Sequence, residues 1–506
     1  MDIIDGLWLG LQAAIQPTML LYCFIGVFLG TLVGVLPGVG AMAAISLLLP
    51  ITYYIPSTAA IAMLAGVFYG SQYGGSIASI LLNLPGTPSS AVTSLDGYPL
   101  AKQGKAGVAL FTAMTGSFVG SMLGLLLLIG FGSALSRAGL AFGPAEYFAL
   151  MLLGLIAASA VGSGSPAKSL AMVVLGLLLG VVGTDVNTGL PRFTFGVPEL
   201  MDGINLVALA MGLFGISEVI TSIRAGGAGS VNARFSLRSM LPGRDEARRS
   251  VCPMLRGTAI GSFFGAMPGT GAAIASFISY AVEKKVSREP ERFGQGAVEG
   301  VAGPEAANNA GAMTAFIPTL TLGIPGDVVM ALMLGAMMIH GIQPGPLMVS
   351  ENPAMFWGLI VSFGIGNLML LVLNLPLIGI WVSLVRIPFS MLYPAILVFI
   401  CLGVYSVNNN VFDIYVVALV GAAGYLLAKL GFNPAPLLLG FVLGPMLEEN
   451  LRRALLLSRG DPMTFVERPL SAGLLLLCVA LLSWAAWGAL RRLIREPKPL
   501  ADPQVS

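Results

Sequence analysis

Residues 30–40 read GTLVGVLPGVG, and residues 261–271 read GSFFGAMPGTG. Gly30, Gly34, Pro37, Gly38 and Gly40 recur as Gly261, Gly265, Pro268, Gly269 and Gly271, and each copy interrupts a hydrophobic stretch. Proline withholds an amide donor and collides with the preceding helical turn, while glycine admits backbone conformations closed to other residues. In hydrocarbon a freed amide or carbonyl costs several kcal/mol, so such a break survives only where protein or a wet cavity surrounds it. A chain carrying the same break twice is thus expected to bring two openings together in its interior.

The surrounding sequence makes a bilayer the medium. The chain is 56% apolar and only 10% charged, against about 25% charge for a soluble domain. Apolar runs recur along almost its whole length, enough for about 12 spans (range about 11 to 14) of about 20 residues each. The expected fold is an all-α polytopic membrane protein. A net charge of +2 offers no nucleic-acid surface. Cys23, Cys252, Cys401 and Cys478 are too scattered for a disulfide framework or a metal site. The N-terminal stretch lacks the basic region and cleavage site of a removed signal peptide.

The repeat extends beyond one motif. Leu84-Pro85-Gly86 returns as Ile324-Pro325-Gly326, and GLLLGVVGTD at 176–185 resembles GYLLAKLGFN at 424–433. Two homologous halves follow, residues 1–221 and 256–450, joined by a basic linker at 222–255. Residues 451–506 form a C-terminal loop, an extra helix and a basic tail. The linker carries Arg224, Arg234, Arg238, Arg244, Arg248 and Arg249, which places it in the cytoplasm. An odd number of spans per half inverts the second repeat, and inversion is the favoured reading. The apolar run at 434–446 is short enough for a partial span.

A broken helix acquires a new N-terminus with free amides and a positive dipole end, which suits a carboxylate. The carbonyls of the other half-helix suit a sodium ion, and paired discontinuous helices at a repeat interface are the geometry of secondary transporters. Asn83, Thr87, Asn308, Asn309 and Thr270 lie beside the breaks; they either hold ligand or cap half-helices. Asp327 is a cation ligand or an N-cap. Glu305 needs water, a cation or a partner if it is buried. Lys168 reads as a snorkelling residue and the lone His340 as an interfacial hydrogen bonder. The Gly-rich pieces lack the GKS or GKT ending of a phosphate loop, and no HExxH or CxxC occurs. The expectation is no enzyme, no cofactor and no transition metal. Uphill transport then requires an ion gradient. An anion channel built on the same broken helices is the alternative.

Several stretches carry a resemblance: GTLVGVLPGVG (30–40), YGGSIASILLNLPGTPSSAVTSLDGYPLAKQG (73–104), GSFFGAMPGTGAAIASFISYAVEK (261–284), GPEAANNA (303–310) and IPTLTLGIPGD (317–327). Through them the chain resembles the large, TctA-type membrane subunit of the tripartite tricarboxylate transporter family. The resemblance implies a multi-pass permease of the bacterial inner membrane. It implies two protein partners, a small four-helix membrane subunit and a periplasmic solute-binding protein. It implies cation-driven uptake, with Na+ the expected coupling ion, of citrate or a related di- or tricarboxylate; some relatives take aromatic acids. A second copy of the chain is a further candidate partner. The candidate substrate-binding residues are Pro37, Gly38, Gly40, Asn83, Gly86, Thr87, Pro268, Gly269, Thr270, Gly271, Asn308, Asn309, Pro325 and Gly326. The candidate cation ligands are Asp327, Asn83 and Asn309.

Overall fold

The computed structural model describes residues 2–36, 40–139, 141–161, 165–185, 188–217, 219–220, 240–267, 271–384 and 389–495. The first half contains α1 (Ile3–Ala14), α2 (Pro17–Val35), α3 (Gly40–Thr52), α4 (Ser57–Leu82), α5 (Thr93–Leu100), α6 (Ala106–Gly139), α7 (Pro144–Val161) and α8 (Pro166–Gly180). It closes with α9 (Leu206–Ala210), which continues as a wider π-type turn over Met211–Ile216. The second half contains α10 (Arg244–Ala266), α11 (Gly271–Val286), α12 (Glu299–Thr314), α13 (Phe316–Leu322), α14 (Val328–Ile339) and α15 (Pro353–Asn374). There follow α16 (Ile378–Leu384), α17 (Phe389–Asn408), α18 (Val411–Lys429), α19 (Ala435–Leu457) and α20 (Pro469–Arg495).

The protein is largely helical and built for hydrocarbon. Among the described residues, four helical runs are long and apolar enough to cross a membrane: Pro17–Val35, Thr93–Gly132, Pro353–Asn374 and Val411–Lys429. Shorter apolar helices fill the space around them. Leu126, Phe131, Val398, Phe399, Leu402 and Leu419 are exposed, as lipid-facing side chains are and as a soluble surface could not sustain.

Three details differ from the sequence reading. The chain is not purely helical: Gly183–Thr184 (β1) pairs antiparallel with Pro191–Arg192 (β2), so the turn-rich stretch satisfies its backbone with a short ribbon. Helix α10 starts at Arg244, well ahead of the apolar run, because Asp245 and Glu246 in its first turn complement the helix dipole and Glu246 accepts from the Gly243 amide. The segment expected to be a partial span continues through its charged end as the 23-residue α19. There Arg452 pairs with Asp185 and Glu448, and Arg192 pairs with Glu448.

Glycine spacing sets the packing of each half. Cβ atoms added at Gly26, Gly30 and Gly34 of α2 would lie 2.2, 2.5 and 2.3 Å from the carbonyl oxygens of Met63, Val67 and Ser71 on α4. At Gly257, Gly261 and Gly265 of α10 they would lie 2.1, 2.1 and 2.3 Å from those of Gly303, Ala307 and Gly311 on α12. Helices this close touch backbone to backbone, the usual association mode where water supplies no driving force. Each ladder ends just before a Pro–Gly pair. The helices they hold, α4 and α12, are the centre of the molecule: every residue from Ala59 to Leu82 and from Gly300 to Thr314 is buried.

The halves then interlock reciprocally. Helix α6 packs on α12, and α15 packs on α4. Helix α8 packs on α19, and α18 packs on the π-turn after α9. The extra helix α20 lies against α7, where Arg468 reaches the buried Glu146 at 2.9 Å.

Candidate functional site

Helices end and restart at the Pro–Gly positions. Helix α2 stops at Val35 and α3 starts at Gly40; α10 stops at Ala266 and α11 starts at Gly271. Gly40 and Gly271 both have left-handed backbones, with φ of 61° and 66°. Pro37, Gly38, Pro268, Gly269 and Thr270 lie outside the described residues.

The second pair of breaks is described in full. Helix α4 stops at Asn83, which is left-handed at φ 57° and ψ 27°. Helix α13 stops at Gly323 in the same conformation, φ 69° and ψ 25°. Asparagine tolerates this region better than other side-chain-bearing residues, so the two copies reach one geometry with different residues. After the Pro–Gly pair, each chain turns extended at an oxygen-bearing residue. Thr87 begins the 3-10 turn Pro88–Ala91, and Asp327 begins α14, accepting from the Met330 amide at 2.8 Å. Helices α3 and α14 have 13 and 12 residues, so they are about 18–20 Å long against about 30 Å of hydrocarbon. Each alone is about two-thirds of a span.

Close contacts join the four breaks. A Cβ on Gly86 would stand 1.9 Å from the Gly34 oxygen, and one on Gly326 would stand 3.1 Å from the Gly265 oxygen. The later break of each half is therefore seated on the earlier one. Gly271 faces Asp327, with an added Cβ 3.5 Å from the Asp327 Cβ. Across the halves, α11 packs against the Pro88–Ala91 turn, where Ser276 Oγ donates to the Ser89 carbonyl at 2.9 Å, and α3 packs against α14. The ring is closed.

Buried polar side chains line this ring. Gln72 Oε1 accepts from Ser89 at 2.6 Å and from Thr87 at 3.4 Å. Ser90 bridges Ser79 and the Thr87 amide. On α12, Asn309 donates Nδ2 to the Glu305 carbonyl at 3.1 Å. Among the described residues, neither amide atom of Asn308 has a hydrogen-bond partner, nor has Asn309 Oδ1. Buried amides without partners cost about 1–3 kcal/mol each, a cost that a bound ligand or ion relieves.

The sequence candidates separate accordingly. Gly86, Thr87, Gly271, Gly326 and Asp327 belong to the ring, with Asn308 and Asn309 on the central helix beside it. Asn83 is exposed at the end of α4. Lys168 lies away from the ring and caps α18, donating to the Leu430 carbonyl at 2.7 Å with its ammonium over the Phe432 ring. His340 ends α14 beside Tyr53. Sequence reasoning missed Gln72, which carries no local signal in the middle of α4, and Ser89, Ser90 and Ser276, whose only signal was a position within two turns of a Pro–Gly pair. It also missed Asp96, which is fully buried on α5. Asp96 Oδ1 accepts from the amides of Gly294, Gly296 and Ala297, each at 2.8 Å, and Oδ2 accepts from the Tyr280 hydroxyl at 2.9 Å. One carboxyl thereby ties the first half to the loop that feeds α12. Among the described residues, no three His, Cys, Asp or Glu side chains gather as a metal site.

Comparison with known proteins adds a family. The chain is 51% identical over 484 residues to the "Uncharacterized 52.8 kDa protein in TAR-I ttuC' 3'region" of Agrobacterium vitis, covering 95% of this chain and 96% of that one. It is 58% identical over 224 residues to the "Uncharacterized protein in TAR-II ttuC' 3'region" of the same organism, covering 44% of this chain and 93% of that one. No solved structure matches. The profile of the tripartite tricarboxylate transporter TctA family matches residues 20–439. That match takes in all four breaks and both glycine ladders, and the chain belongs to the tripartite tricarboxylate transporter TctA family.

Proposed function

We propose that this chain is the permease subunit of a binding-protein-dependent secondary transporter that carries a tricarboxylate such as citrate, or a related dicarboxylate, across the bacterial inner membrane with Na+. Proteins of this family are transport proteins, not enzymes, and work with a small membrane subunit and a periplasmic binding protein. The observation that carries the reading is the ring formed by the described flanks of four breaks, two from each half. Open helix ends gathered in a protein interior offer amides to an anion and carbonyls to a cation.

In this reading the substrate carboxylates meet the helix starts at Gly40, Thr87, Gly271 and Val328, and the unpartnered Asn308 amide supplies a further donor. Asp327 supplies carboxylate oxygen for the cation, and exposed Asn83 stands at the approach. About 12 spans in two inverted repeats let one group of helices rock against a scaffold, exposing the ring alternately to each side. The reciprocal packing of α6 on α12 and α15 on α4 supports two-fold related halves. A topology map placing both halves in one orientation would refute inversion.

The test is reconstitution of the chain with its small subunit and binding protein in sealed vesicles, followed by uptake of labelled carboxylates with and without Na+. Saturable, sodium-dependent uptake with counterflow supports the carrier; passive flux without exchange supports a channel. In the same assay, Asp327→Asn is expected to fold normally, because Asn caps a helix as well as Asp. It should lose most of the sodium dependence of uptake. Unchanged sodium dependence removes Asp327 from the cation site.

A further inference from the structure

A second buried carboxyl lies on the central helix α12, away from Asp327 in sequence. Glu305 is fully buried on α12. Among the described residues no Lys or Arg pairs with it. A solitary carboxylate inside a membrane is costly, and such residues mark ion pathways. Hydroxyls from the other half surround it: Thr93 Oγ1 on α5 donates to Oε1, Ser117 Oγ on α6 donates to Oε2 at 3.1 Å, and the Ser76 hydroxyl on α4 is a third hydrogen-bonding neighbour. Hydroxyl donors offset part of the charge but supply no positive one.

The next turn of α12 carries an independent sign of a missing ligand. Helical side chains lean towards the N-terminus, so Asn309 lies back over the turn of Glu305. Its Nδ2 is held by the Glu305 carbonyl, which leaves its buried Oδ1 without a donor. A proton on Glu305 would neutralise the carboxyl and still leave that oxygen unsatisfied. A cation answers both needs at once. The set is all oxygen (one carboxylate, three hydroxyls and one amide carbonyl), which suits a hard cation.

We propose that Glu305, Ser76, Thr93, Ser117 and Asn309 form a Na+ site between the two halves, distinct from Asp327. The proposal rests on the reading of the chain as a sodium-coupled carrier and adds a second charged group to it. Because its ligands come from α12 on one side and from α4, α5 and α6 on the other, a bound ion here would hold the halves in one mutual arrangement.

The experiment needs no substrate. The full-length protein in detergent is titrated with NaCl at constant ionic strength against choline chloride, and its thermal unfolding midpoint is followed, since an ion that binds only the native state raises Tm in a saturable way. Wild-type protein and the control Leu126→Ala are expected to show a Na+-specific rise. Glu305→Gln should weaken the apparent Na+ affinity at least about tenfold, as loss of the one charged ligand requires. If that variant does not fold, Ser117→Ala and Thr93→Val take its place, each expected to weaken affinity several-fold. A wild-type Na+ response in Glu305→Gln, or in both hydroxyl variants, overturns the proposal. So does a wild-type protein stabilised by acid but not by Na+, which would make the ligand a proton. Failure of carboxylate uptake in vesicles, with the Na+ response intact, would instead count against the transport reading alone.

Discussion

Gly86→Ala is expected to abolish carboxylate uptake and to destabilise the protein. The added methyl carbon would sit 1.9 Å from the Gly34 oxygen and 2.8 Å from the Gly75 Cα. Both obstacles are backbone, so no rotamer change relieves them, and the break must lift off the end of α2. We expect a cost of at least about 3 kcal/mol, at the upper end for overpacking. Gly326→Ala is the informative comparison. Its nearest contacts, the Gly265 oxygen at 3.1 Å and the Ala315 Cβ at 3.2 Å, need to give by only a few tenths of an ångström, so it should be visibly milder. Gly130→Ala, whose added carbon meets open space, should be neutral or more stable by up to about 1 kcal/mol, the ordinary gain of alanine in a helix. Thermal unfolding in detergent and uptake in vesicles read all three. Wild-type uptake by Gly86→Ala would show that the two breaks of the first half need not touch.

Asp96→Ala carries the second large effect. It removes a fully buried acceptor of three backbone amides and one phenol, donors that are themselves buried or part-buried. Orphaned buried donors cost about 1–3 kcal/mol each and are not additive, so the expected loss is about 3–5 kcal/mol. Asp96→Asn should recover a good part of it, because Oδ1 still accepts the three amides while the new Nδ2 can donate to the Tyr280 oxygen. The segment from Ser287 to Val298 should become a protease target in Asp96→Ala and stay resistant in Asp96→Asn. Equal stability and equal cleavage in the wild type and Asp96→Ala would show that the loop before α12 is held by other contacts.

The breaks were legible because their chemistry is local. Pro85-Gly86 and Pro325-Gly326 carry their conformational demand in their own rings and missing side chains, and helices stop beside both. The glycine ladders were half legible: Gly30, Gly34, Gly261 and Gly265 stood out as a repeated pattern, but their partners are carbonyl oxygens, which every residue possesses. The Asp96 latch was illegible for the same reason. Its partners are amides of Gly294, Gly296 and Ala297, nearly two hundred residues away and anonymous in composition. Arg244–Ala266 was placed late because hydropathy reports where a helix meets lipid, not where its first turn is capped in water. The β1–β2 ribbon, only two residues per strand, leaves too short an alternation to detect.

The Asp96 contact has a consequence for biosynthesis. Its acceptor oxygens leave the ribosome 198 to 201 residues ahead of the amides that satisfy them. At about 5–20 residues per second that interval is about 10–40 s. For that period the emerging N-terminal portion holds a carboxyl with no mate, so it has reason to stay near water or an insertion factor. Final locking of this segment is thus a late, post-insertion event, timed by the arrival of distant chain.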